Sequence, residues 1–171
     1  MAAVIRALGA DEVRAGAQQL AEVLLDAIGG GASVSFMAGF SRAEAVAYWG
    51  RIASGVAAAE RVVLVAGDFD GTAQLVLDTP PNQPHRAELA KMLVHRRARR
   101  RGLGRALFEA ICTEARRRGR TLLTFDAMAG GGAEQLYLSC GAVKVGEIPG
   151  YALYPPGGEP AATSIFFKQL A

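Results

Sequence analysis

Cysteine is nearly missing from this 171-residue chain, which has two, Cys112 and Cys140. They form no CxxC pair and no metal-ligand spacing, which argues against a zinc site and against a disulfide scaffold. Each falls in a helical pattern and reads as a small buried apolar group. Histidine is as scarce: His85 and His95 are the only two, and both flank one arginine-rich segment, so no Ser-His-Asp set is arguable. No metal constellation is expected. No apolar run reaches membrane-spanning length, and Asp11 and Glu12 come too early for a signal-peptide pattern. A cytoplasmic protein without a membrane partner is the default expectation. The string G-x-x-x-x-G-K-[ST] does not occur, and the dinucleotide fingerprint fails because Leu107 stands where its third glycine belongs.

What is present reads as a globular chain. Hydrophobic residues make up 51% and charged residues 20%, and the length suits one domain, taken here as 1–171. A net charge of +3 hides an asymmetry. Residues 96–120 carry ten arginines against Glu109 and Glu114, a local +8, while the remainder has nine basic and fourteen acidic residues, a net −5. Arg116, Arg117, Arg118 and Arg120 suit the C-terminal end of a helix. Arg96 to Arg101 crowd the opposite end, where the macrodipole disfavours cations, and are the better functional clue. Such a patch suits a small polyanion or a nucleic-acid backbone.

The patterns run in a mixed order. Val4 to Leu8 reads as a strand, and Asp11 to Ala27 as a helix ended by Gly29-Gly30-Gly31. Ser33 to Phe40 is irregular. Ser41 with Glu44 forms a capping box for a helix to about Ser54. Arg61 to Ala66 and Gly71 to Asp78 read as a hairpin, and Glu88 to Val94 as the fourth strand. Leu103, Leu107, Phe108, Ile111 and Ala115 share a helix face, closed by Gly119. Thr121 to Phe125 is a buried strand, Ala133 to Cys140 a short helix, and Val143 to Val145 the start of a strand. Pro149 to Pro160 reads as a loop, a lid in prospect, and Thr163 to Lys168 as the last strand. The class is α/β, with one mixed, mostly antiparallel sheet flanked by helices.

Between the fourth strand and the long helix stands Arg99-Arg100-Arg101-Gly102-Leu103-Gly104. Amides at a helix start lack intrahelical partners, and glycines let a ligand approach the backbone. The string R-x-x-G-x-G after Met92-Leu93-Val94 resembles the acetyl-CoA-binding motif of the GNAT family of N-acetyltransferases. With Glu88 to Val94, Asp126, Tyr137 and the stretches Pro149-Gly150-Tyr151 and Phe166-Phe167-Lys168, the segment His85 to Leu170 is similar to tabtoxin-resistance acetyltransferases.

The resemblance implies splayed fourth and fifth strands with acetyl-CoA between them. It implies that Met92, Leu93 and Val94 meet the pantetheine arm, and that amides from Arg99 through Arg100, Arg101, Gly102, Leu103 and Gly104 to Arg105 hold the pyrophosphate. Tyr137 matches the tyrosine of Tyr-x-x-x-Gly, placed to protonate the leaving thiolate; by itself it also reads as a packed helix tyrosine. Two positions depart from the family pattern: Gly130 stands where Asn is usual, and Ala142 where Phe is common. Glu88 and Asp126 are candidate bases for the amine, or partners for its ammonium, Lys91 or an arginine; a chain of waters is an equal alternative. Lys91 suits a substrate carboxylate, and Tyr151 an aromatic contact.

The expected reaction is acetyl transfer from acetyl-CoA to a primary amine of a small molecule, an amino acid or an analogue, by direct attack in a ternary complex. The alternatives are a basic-patch nucleic-acid-binding module and a CoA-binding protein without catalysis. Oligomeric state is open, a homodimer included.

Overall fold

The computed structural model describes residues 4–170. Seven strands form one sheet in the order β1-β2-β3-β4-β5-β7-β6. In chain order they are β1 (Ile5–Leu8), β2 (Arg61–Ala66), β3 (Gly71–Val76), β4 (Arg86–Val94), β5 (Leu122–Met128), β6 (Val143–Leu153) and β7 (Pro160–Gln169). The helices are α1 (Ala10–Ala15), α2 (Ala17–Gly29), α3 (Arg42–Ala57), α4 (Leu103–Arg117) and α5 (Gly132–Ser139), with a 3-10 turn at Arg96–Ala98. No described helix is long and apolar enough to cross a membrane.

Strand β2 shows why the sheet is covered twice. Its sequence RVVLVA has no polar alternation, as expected of a strand buried on both faces. Val63 and Val65 pack with Val13, Leu20, Leu24 and Trp49 of α1, α2 and α3. Val62 and Leu64 face the other way, into the core that Leu107, Phe108 and Ile111 of α4 share. Phe166 is fully buried and lies 5.6 Å from the Phe125 ring and 5.7 Å from the Tyr137 ring, between centroids. Replacing it with alanine opens a cavity beneath two neighbouring rings, so Phe166→Ala should cost about 3–5 kcal/mol in urea unfolding. A loss under 1 kcal/mol would show that this layer is not tightly packed.

The expected helix from Asp11 to Ala27 is two helices. Gly16 caps both of them, and a Cβ there would come within 2.7 Å of the Phe69 ring. The hairpin turn over the helices therefore occupies the space a side chain would need. The Ser41 box forms as expected: Ser41 Oγ accepts from the Glu44 N–H at 3.2 Å, and the Ser41 N–H donates to the Glu44 carboxylate at 2.8 Å.

Two sequence boundaries are corrected. Half of the expected loop Pro149 to Pro160 is strand: β6 runs to Leu153, and residues 154–159 separate it from β7. Proline is tolerated because β6 is the sheet edge, where a missing N–H breaks no ladder. The pairing shifts between Ile148 and Ala152, and Gly150 supplies the left-handed residue, with φ +60°. The fifth strand also extends past Phe125 to Met128, which places Asp126 inside it. Cys112 is buried as expected, but Cys140 caps α5 and is only partly covered.

Candidate acetyl-transfer site

Among the described strands β4 and β5 are the one parallel pair, and they part early. They are in register only at Arg86–Leu122, Ala87–Leu123 and Glu88–Thr124. Beyond Glu88, β4 stays on β3 and β5 stays on β7. The strands splay as expected and leave facing edges unpaired. Unpaired edges present backbone donors and acceptors to an extended amide-bearing ligand. At the mouth of this opening begins α4. The N–H groups of Gly102, Leu103, Gly104 and Arg105 have no backbone partner, because the first bond of the helix is Ala106 N–H to the Gly102 carbonyl at 3.1 Å.

A cleft of about 1080 Å³ joins the two features. Its floor includes Glu88, Lys91, Met92, Leu93 and Val94 of β4 and Asp126 of β5. Arg99, Arg100, Gly102, Leu103, Gly104 and Arg105 line one end. Tyr137 and Tyr151 line it as well. Of the residues expected from sequence, Arg101 alone is outside the lining. Missed by sequence were Ser33, Val34 and Ser35, which form a wall, and Tyr154. The stretch 33–40 carries no periodic pattern, so nothing local marks it.

The two glycines of the arginine turn have different reasons. Gly102 adopts φ +78°, and a Cβ there would meet nothing within 4 Å; the constraint is backbone conformation. A Cβ on Gly104 would lie 2.8 Å from Leu136 Cδ2, so this glycine lets α4 approach α5. Neither arginine at the front of the segment is free. Arg96 Nε pairs with Asp26 at 2.8 Å, and Arg97 Nε with Asp70 at 3.1 Å. Arg99 Nε donates to the Val94 carbonyl at 3.2 Å, and Arg105 to Ser139 Oγ at 2.9 Å. Much of the local charge is spent in tying the turn to α2, β4 and α5.

Tyr137 is 5% exposed, packed between Phe108, Phe125 and Phe166. Burial, reinforced by the Asp126 charge, holds its phenol well above the ordinary tyrosine value, so it carries its proton at neutral pH. Asp126 opens into the cleft, yet the surrounding protein raises its carboxyl; Lys91 opposes the rise and Glu88 adds to it. Glu88 is tied to Arg86 at 2.6 Å, and Arg86 also reaches Thr124 Oγ1 at 2.8 Å. Lys91 Nζ donates to Ser35 Oγ at 3.0 Å, and burial lowers its pKa. At the start of α5, Gly130 takes φ +74° and its N–H donates to the Glu134 carboxylate at 2.8 Å. The departure from Asn is thus a left-handed turn closed by a neighbouring side chain.

The donors fit acetyl-CoA: free strand edges suit its amides, and helix-start amides beside Arg99 and Arg100 suit its phosphates. Comparison with known proteins agrees. The acetyltransferase (GNAT) family profile matches residues 37–142. This chain belongs to the GNAT family, whose members use acetyl-CoA. Among solved structures, yncA of Salmonella typhimurium, a proposed acetyltransferase with its cofactor acetyl-CoA, superposes with TM-score 0.80 at 19% identity, covering 100% of this chain and 95% of that one. Ribosomal-protein-alanine N-acetyltransferase of Brucella melitensis gives 0.76 at 22% identity, over 97% and 99%. A proposed phosphinothricin N-acetyltransferase gives 0.74 at 14% identity, over 99% of both chains. At these identities the likeness is one of fold.

Proposed function

We propose that this protein transfers an acetyl group from acetyl-CoA to a primary amine of a small molecule, within a single domain and a ternary complex. The observation that carries the reading is the cleft in which the β4–β5 opening, the free amides of α4, Tyr137 and Asp126 converge. Acetyl-CoA supplies an acyl group activated as a thioester. The free edge at Met92, Leu93 and Val94 would hold its amide-bearing arm, and the amides from Gly102 to Arg105 its pyrophosphate. Tyr137 keeps a proton on Oη, ready for a departing thiolate. Asp126 is the better base of the two carboxylates, because Glu88 is engaged by Arg86. Lys91 offers a cation for a substrate carboxylate and Tyr151 an apolar surface, which together suit an amino acid or an analogue.

The nucleic-acid alternative loses support because Arg96 and Arg97 are paired within the fold. Protein acceptors are the nearer rival, since the Brucella neighbour is described as acting on ribosomal-protein alanine. Similarity to tabtoxin-resistance enzymes favours the small acceptor, as does the phosphinothricin neighbour. A screen of CoA thiol release over amino acids, amino-acid-like antibiotics, polyamines, aminoglycosides and peptides tests the reading. Release with a free amino acid or analogue is expected. Efficient acetylation of peptides and protein N-termini, with none of the small amines, would overturn it.

Asp126 also fixes a pH dependence. As a base it works ionised, and its folded pKa is raised. Activity should therefore fall as pH drops through a value above the ordinary aspartate value, about 3.9. Asp126→Asn should lower the rate and remove that acidic limb. A limb unchanged in the variant would assign it to another group.

A further inference from the structure

The chain has sixteen arginines but three lysines, and they differ in company. Lys144 Nζ lies between the Glu134 carboxylate at 2.6 Å and the Glu147 carboxylate at 2.5 Å. Lys168 Nζ donates to the Cys140 carbonyl at 2.8 Å. Lys91 has no carboxylate within 4.0 Å among the described residues; its Nζ meets the Ser35 hydroxyl and lies 5.6 Å from the Phe36 ring centroid. Burial without a carboxylate in reach disfavours the ammonium, while the face of the Phe36 ring favours it. Burial does lower the Lys91 pKa, more than the charge of Asp126 restores it.

The backbone adds a second observation. Lys91 has φ +48° and Ser35 has φ +75°, both left-handed and neither glycine. Such conformations cost free energy and persist where the surrounding fold imposes them. Here the two strained residues meet each other. The bulge that puts Lys91 there lies where β4 has parted from β5, one residue before the edge at Met92. Lys91 and Ser35 both line the cleft, and Lys91 precedes in sequence the edge at Met92 assigned above to the acyl donor.

We propose that Lys91 is a self-acetylation site, accepting the acetyl group of acetyl-CoA when no external amine fills the cleft; this rests on the acetyl-transfer reading above. The unprotonated form of Nζ, in equilibrium with the ammonium, attacks the thioester carbonyl carbon. The N–C bond forms and the C–S bond breaks, and the sulfur leaves with the bonding pair. Nζ gives up one proton and the sulfur gains one, so the products are an N-acetyl-lysine and a CoA thiol, with no change of oxidation state. The modified residue is uncharged, so the cleft would lose its cation for a substrate carboxylate.

The test is to incubate the full chain with acetyl-CoA alone and to map acetyl groups on all three lysines by peptide mass spectrometry. Acetyl is expected on Lys91 in step with thiol release, and not on Lys144 or Lys168. Gly104→Val and Tyr137→Phe should each slow it at least tenfold. Unmodified Lys91 in protein that acetylates a small amine, or that is stabilised by acetyl-CoA, overturns the proposal and leaves the acetyl-transfer reading standing. Equal Lys91 acetylation in parent and Gly104→Val protein would mark bulk chemistry and overturn it as well. Protein that neither binds acetyl-CoA nor releases thiol would sink both.

Discussion

Gly104→Val protein is expected to lose the thermal stabilisation that acetyl-CoA gives the parent, while keeping its fold in the ligand's absence. A ligand that binds only the folded state adds about 2.7 kcal/mol at a hundredfold excess over Kd. For a chain of this size each kcal/mol moves Tm by roughly 2–4 °C, so the parent should shift by several degrees. At Gly104 the first added carbon already meets Leu136 Cδ2 at 2.8 Å. Two further methyl groups would press α4 and α5 apart or crowd the free amides from Gly102 to Arg105. Leu136 is a flexible side chain at a cleft wall, so local adjustment can spare the two cores. The check is a melting curve with and without acetyl-CoA, alongside circular dichroism of the free protein. A normal acetyl-CoA shift in Gly104→Val would show that this helix start is not the pyrophosphate site.

Tyr137→Phe should keep acetyl-CoA binding and lower turnover by about 100-fold, the usual scale for losing a positioned proton donor. The substitution removes one oxygen from a ring held by Phe108, Phe125 and Phe166, so packing should change little. The environment supports an acid: burial and the Asp126 charge both keep the phenol protonated. The measurement is kcat and KM with the best amine from the thiol-release screen, together with the acetyl-CoA melting shift. An unchanged kcat would make Tyr137 a packing residue, the reading open to any helix tyrosine, or would mean that product release limits turnover.

The parts of the fold legible in the sequence are those set by local signals. The Ser41–Glu44 box, the apolar face from Leu103 to Ala115 and the apolar run Val62 to Ala66 of β2 each carry their own pattern, and each forms. Most of the candidate site was legible for the same reason, since β4 and the arginine turn are contiguous and lead straight into α4. Tertiary context decided the rest. Nothing in Ser33 to Ser35 says that it will wall the cleft, because its place depends on the bulge at Lys91, fifty-six residues away. The 3-10 turn at Arg96–Ala98 is held by acids on α2 and in the β2–β3 turn, which no short window contains. Pro149 and Gly150 read as loop residues because their edge position shows only once the strand order is known.

The central claim is that the β4–β5 opening and the first amides of α4 form one acetyl-CoA site. Titration calorimetry of the parent chain with acetyl-CoA tests it most directly, with adenine nucleotides lacking pantetheine as the comparison. Saturable binding of acetyl-CoA is predicted, with much weaker binding of the nucleotides, because the strand edge recognises the amide-bearing arm. No binding at millimolar acetyl-CoA, or equal binding of the bare nucleotides, would contradict the account.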